Sequence, residues 1–227
     1  GSLLDFRKPG EAEAPLRQAL AIYRKHDSTD RMVYTMGRLA SALAYLGRAD
    51  ECEAVLRERL ALAKSRWGEP SPQVANAMVG LGYTPHRLPG RSLAEAEELL
   101  RAAVQMFRKV DTSGGTSATG ALNGLALVLA NERKYAEAEA TYRELLPLWR
   151  KKFGREHPDL AVGLGNFAMV LRAQGKLAEA ESICREIVLL QRKYLGDAHP
   201  RLATSLVFLG NILTMRGQLT EAEALLR

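Results

Sequence analysis

Apolar residues recur along the chain at steps of three and four, the spacing of one helix face, in blocks separated by short turns. Leu16, Leu20 and Tyr23 belong to such a stripe in residues 11–25, and Met32, Met36, Leu39, Ala40 and Leu43 to another at about 31–46. Asp27-Ser28-Thr29-Asp30 between them supplies a turn and an N-cap, and Gly47 ends the second helix. The pattern predicts further helices at 50–66, closing at Trp67-Gly68, from Pro70-Ser71-Pro72 to about Tyr83, and at 93–109 behind a Ser92 cap. Beyond these it predicts helices at about 117–132, 136–153, 158–174, 178–194 and 200–216, and a truncated one from 220. Residues 3–10 read as the tail of an earlier helix, broken by Pro9-Gly10.

A longer period organises these helices. A Glu-x-Glu stretch ending in Arg opens at Glu11, Glu51, Glu95, Glu137, Glu179 and Glu221, at steps of 40, 44, 42, 42 and 42 residues. A fixed period in this range marks a repeat protein. Every second helix, B, opens with the motif, and the helix before it is A. One such hairpin cannot bury its apolar stripes, but stacked hairpins can. The expected fold is therefore all-α: an α-solenoid of antiparallel helix pairs, one array over 3–227, cut part-way through a repeat at both ends. Residues 69–92 form an irregular unit. There Thr84-Pro85-His86-Arg87-Leu88-Pro89-Gly90 replaces the last helical turn and holds the two extra residues. Repeat decay explains that segment most simply; a hinge or contact loop is the alternative. Asp111 to Ser117 reads as a flexible connector.

Composition fits this picture. Apolar residues make up 47% of the 227, enough for a continuous core, while aromatics are 6%, so Ala and Leu dominate the packing. The net charge of +6 permits an acidic partner. No run of five basic residues appears, and Arg150-Lys151-Lys152, the longest cluster, suits a helix C-terminus, so nucleic acid is not expected. Cys52 and Cys184 fall inside repeats where other copies carry Ala, Tyr or Leu, and read as buried free thiols of a reducing compartment. With no signal peptide and no apolar run near 18 residues, the expectation is a cytoplasmic protein with no membrane contact. Gly1-Ser2 looks like a scar of expression.

Ala121-Leu122-Asn123-Gly124-Leu125-Ala126, then Lys134-Tyr135-Ala136-Glu137-Ala138-Glu139, Tyr142-Arg143 and Gly154-Arg155-Glu156-His157-Pro158-Asp159 together resemble one family unit. It is the roughly 42-residue tetratricopeptide repeat of kinesin light chains, which bacterial proteins also append to kinases, ATPases and protease-like domains. The Gly-x-x-His-Pro turn returns at Gly196-Asp197-Ala198-His199-Pro200 but not after the third B helix. The resemblance is strong over 117–227, good over 11–66 and weak over 69–92. It implies a right-handed superhelix whose A helices line a concave, ligand-binding groove, in a fragment of a longer bacterial or engineered protein. It specifies a fold and leaves the ligand open.

The Glu-x-Glu stretches serve as a ruler for that groove. Measured from them on a helical wheel, Leu122, Leu125, Ala126 and Leu129 share the buried side. Asn76, Asn123, Asn166 and Asn211 fall on one arc roughly opposite, with Tyr34, Arg38, Tyr83, Leu127, Met169, Arg172, Val207 and Phe208 on it or at its margins. Asn is indifferent in a helix interior but can give and accept hydrogen bonds with an extended peptide backbone. Arg38 and Arg172 could meet an acidic or C-terminal carboxylate. The plainer alternative is that these Asn side chains are solvated or satisfy neighbouring helices.

Catalysis is not expected. His157 and His199 occupy equivalent turns, and no Cys/His spacing suits zinc. No Gly-rich phosphate loop follows a strand, so neither metal nor cofactor is expected. The function expected is a monomeric protein-interaction module taking a peptide or protein segment, with the net positive charge admitting an acidic one. The alternatives are a regulatory or scaffolding array packed against a kinase, ATPase or protease-like domain of the same longer protein, and self-association.

Overall fold

A computed structural model describes residues 9–83, 92–110, 115–154, 157 and 160–226. Gly1-Ser2, residues 3–8, the irregular stretch Thr84–Gly90 and Asp111–Gly114 of the expected connector lie outside the described residues. All regular structure described is helical. The helices are α1 Pro9–Lys25, α2 Thr29–Tyr45, α3 Ala49–Trp67, α4 Pro72–Gly82, α5 Leu93–Val110, α6 Thr119–Asn131, α7 Tyr135–Phe153, α8 Leu160–Ala173, α9 Leu177–Leu195, α10 Pro200–Met215 and α11 Leu219–Leu226. Odd numbers are B helices and even numbers are A helices.

Local chemistry sets most boundaries. Gly68, Gly154 and Gly196 end α3, α7 and α9 at positive φ, which an L side chain rarely adopts. Ser71 and Ser92 cap α4 and α5, their hydroxyls accepting from the N–H of Val74 and Glu95 at 3.2 Å. His199 caps α10, its Nδ1 accepting from the Arg201 N–H at 3.1 Å, and Pro200 follows where no donor is needed. His157 stacks against Phe153 with ring centroids 5.2 Å apart.

Several local expectations change. Pro9-Gly10 opens α1 two residues before the expected start at 11, and the earlier helix expected over 3–8 lies outside the described residues. Ser28 occupies the N-cap position of α2 without capping it; its hydroxyl donates weakly to the His26 carbonyl at 3.4 Å. Thr116–Ala118 forms a 3-10 turn leading into α6, so this part of the expected connector is ordered backbone. Pro147 lies inside α7 on an exposed face, and the helix runs through it.

The chain divides into two compact units, Gly1–Val128 and Leu129–Arg227. In the first, α1 packs on α2, α2 on α3, α3 on α4 and α4 on α5. Its core joins Leu16, Leu20, Met36, Leu39, Leu43, Leu56 and Leu81. Gly124 of α6 lets α6 approach closely: a Cβ there would meet Tyr83 Cε2 at 2.7 Å and Leu100 Cδ2 at 2.9 Å.

In the second unit α7 packs on α8, α8 on α9, α9 on α10 and α10 on α11. Leu160, Leu164, Ile187 and Leu190 centre one cluster. Tyr142 stacks on Phe167 with centroids 5.4 Å apart. Burying these A and B stripes against each other supplies the main driving force, about 25 cal/mol per Å² of apolar surface.

Candidate functional site

The B helices carry the most regular polar chemistry. In α7 the third motif residue, Glu139, is 7% exposed. It accepts from Arg143 one turn on, from Gln174 at 2.8 Å, and from the Lys176 ammonium at 2.7 and 2.6 Å. Those bonds, the Lys176 one first, outweigh burial and hold its carboxyl down at about 2. Arg143 also reaches forward to Glu179, the first motif residue of the next B helix, at 2.6 Å.

The arrangement recurs within each unit. Arg17 joins Glu13 to Glu51, Arg57 joins Glu53 to Glu95, and Arg185 joins Glu181 to Glu221. Arg48 plays the part of Lys176 for Glu13. Arg216 does so for Glu181, standing in the position of Gln174 while Gln218 stands in that of Lys176. Burial would raise the Glu181 carboxyl, but the Arg185 and Arg216 bonds leave it below its usual value. The motif therefore staples neighbouring repeats, and its groups are consumed in doing so.

The A helices present a different surface. On α8, Asn166 lies between exposed Val162 (62%) and Met169 (47%), one turn to either side. On α10, exposed Asn211 lies between Val207 (51%) and Met215 (56%) in the same way. The Arg172 guanidinium of α8 sits 5.2 Å over the Phe208 ring of α10, both half-buried, so the two helices share this surface. Val162 and Met215 are absent from the residues singled out in the sequence, although they continue the same helical spacing.

In the first unit, Tyr34 is 67% exposed, Arg38 is half-buried and Asn76 is exposed. Tyr34, Arg38 and Tyr83 line a cavity of about 420 Å³ between α2 and α4, floored by α3. Asn123 is half-buried, its Nδ2 donating to the Tyr83 hydroxyl, while its Oδ1 is buried without a partner. Leu127 is 8% exposed and belongs to the core. The reason is that α6 is apolar nearly all round, with Ala121, Leu122, Leu125, Ala126 and Val128 also buried, so its wheel has no solvated arc.

Arg59 escaped the sequence reading. It projects from α3 into the same cavity, where burial holds its guanidinium below the ordinary value. Cys52 and Cys184 are both buried and free, and burial pushes the Cys184 thiol up to about 11. Among the described residues no cluster of His, Cys, Asp and Glu could hold a metal ion. Nor is any described helix long and apolar enough to cross a membrane.

The tetratricopeptide repeat family pattern matches residues 116–172 and 159–227. No curated protein matches the chain. Among solved structures, a putative kinesin light chain of Podospora anserina with nearly identical TPR-like repeats is 23% identical, covering 86% of this chain and 91% of that one at a TM-score of 0.74. BtubC (BKLC) from P. vanneervenii is 19% identical, covering 99% of this chain and 89% of that one at 0.79. A Rap protein complexed with competence and sporulation factor is 19% identical over 91% of this chain and 58% of that one, at 0.56.

Stacked helix pairs, the repeated motif and these likenesses define the class: the chain is a tetratricopeptide repeat array, a domain that generally serves as a protein–protein interaction module. Within that class it resembles kinesin light chain-like repeat proteins.

Proposed function

We propose that this array binds a protein or peptide segment on its A-helix faces. The observation that carries the reading is the pair of exposed stripes on α8 and α10, each an Asn between two large apolar side chains. Exposed apolar groups beside amides suit a segment whose side chains anchor in apolar contacts and whose backbone bonds to Asn. The B-helix carboxylates do not compete for this role, because Arg and Lys partners occupy them. The Rap relative, solved in complex with a factor, gives a precedent for ligand binding on a related fold.

Of the residues singled out in the sequence, the reading retains Asn166, Asn211, Met169, Arg172 and Phe208 in one unit, and Tyr34, Arg38, Asn76 and Tyr83 in the other. It releases Leu127 to the core and Asn123 to its bond with Tyr83. The test selects binding peptides from a displayed random library with the intact chain, then measures their affinity for Asn166→Ala/Asn211→Ala. Each hydrogen bond contributes about 0.5–1.5 kcal/mol net, so the double variant binds roughly tenfold more weakly, with helix content unchanged. Undiminished affinity in a folded double variant would sink the reading.

A further inference from the structure

Arg59 is the eighth residue after the opening Glu51 of its B helix. In the other B helices that position holds Ala19, Ala103, Leu145 and Ile187, all but Ala19 fully buried. A cation therefore stands where the repeat otherwise builds core. Its head passes between two A helices, with Nε donating to the Val33 carbonyl of α2 at 3.0 Å and Nη1 to the Asn76 carbonyl of α4 at 3.3 Å.

Two glycines make room for it. A Cβ at Gly37 would lie 3.3 Å from the Arg59 Cζ, and one at Gly80 only 2.7 Å from Nη1. Two of the five guanidinium donors are thus used, and no described carboxylate neutralises the charge. A half-buried cation held by carbonyls alone gains most from an anion delivered to it.

The head lines the cavity of about 420 Å³ already described, whose walls include Ala40, Leu56 and Val79 with Tyr34 and Tyr83. We propose that this cavity is an anion pocket that takes a carboxylate on an apolar stem, with Arg59 as its anchoring donor. The guanidinium fork matches a carboxylate, and the aliphatic walls suit a short methylene stem and offer little to a heavily solvated dianion. The inference rests on the proposed A-helix function only for the source of that carboxylate, an acidic side chain of a bound segment.

The test observes arginine Nε–H groups of the whole chain by 15N NMR. Glutarate and its neutral diamide are titrated first. Two capped nonapeptide pools follow, randomised around a central Glu or a central Gln. The Arg59 resonance is expected to shift saturably with glutarate and not with the diamide, and the Glu pool to bind at least tenfold more tightly than the Gln pool. Arg59→Met, and Gly80→Ala as a second variant that displaces the guanidinium, should each abolish the preference. Because the primary reading uses the unaltered chain, a variant that misfolds does not rescue the idea.

A glutarate response with no pool preference assigns the pocket to a free carboxylate compound. A glutarate response with neither pool binding keeps the pocket and overturns the segment-binding function. An unmoved Arg59 resonance, with both pools binding equally, leaves that function standing and overturns this proposal.

Discussion

Arg143 and Glu179 belong to successive repeats, 36 residues apart, yet their side chains meet at 2.6 Å while Arg143 also holds Glu139 in its own helix. The same three-cornered bridge links α1 to α3, α3 to α5 and α9 to α11. The Arg and the Glu it reaches in the next repeat are each about half exposed, so the link between repeats contributes little. A double-mutant cycle on Arg143→Ala and Glu179→Ala in urea unfolding should give a coupling of about 0.2–1 kcal/mol, falling with added salt. A coupling of zero at low salt would remove the bridge from the account of repeat stacking.

Glu139 should dominate the acid limb of stability. Its carboxyl titrates at about 2 in the folded chain against an ordinary 4.5, held down by the Lys176, Arg143 and Gln174 bonds. A depressed folded value means the stabilisation is complete above pH 4.5 and is lost as pH falls from there to about 2. Thermal unfolding of Glu139→Gln should therefore show a flatter decline than the parent over that window. Lys176→Met, which strands part of the buried carboxylate, should cost about 1–3 kcal/mol at neutral pH. Parallel acid limbs for parent and Glu139→Gln would contradict this.

Gly163 on α8 faces Trp149 on α7 so closely that a Cβ would sit 1.9 Å from the ring. Alanine usually improves a helix interior by roughly 0.5–1 kcal/mol, but here overpacking opposes it by about 1–3 kcal/mol. Gly163→Ala should lower the unfolding midpoint and alter Trp fluorescence. Adding Trp149→Leu should recover part of the loss. A stabilised single variant would show that the ring swings aside at no cost.

Neither thiol should react in the folded chain. Cys52 is 2% exposed and donates to the Ala40 carbonyl at 3.3 Å; Cys184 is 1% exposed, with its thiol pushed up to about 11. The thiolate is the reactive form, so an aromatic disulfide reagent at pH 8 should label no cysteine natively and two after denaturation. Rapid native labelling would mean that α3 or α9 opens locally far more often than its packing allows.

The repeat and its helices were legible because glycine, proline and the Glu-x-Glu openings punctuate most turns. For example, α9 spans Leu177–Leu195 where the pattern alone places 178–194. The bridges were half legible: each Arg lies one turn beyond its own Glu, but the partner in the next repeat is fixed only by stacking. Leu127 was misplaced because a helix buried on nearly all sides has no polar arc to orient it. Asn123 shows another limit, since its Tyr83 partner lies 40 residues away and nothing local announces the contact. Arg59 was missed although it stands where other repeats carry Ala, Leu or Ile, and its path between Gly37 and Gly80 needed coordinates.

The most direct test of the A-helix surface uses the six methionine methyls, labelled with 13C and followed as a selected peptide is added. Met169 and Met215 lie on the exposed stripes of α8 and α10, whereas Met36, Met78 and Met106 are buried. The account predicts saturable shifts of Met169 and Met215 with the three buried methyls nearly still. Saturable binding that leaves Met169 and Met215 unmoved would contradict it.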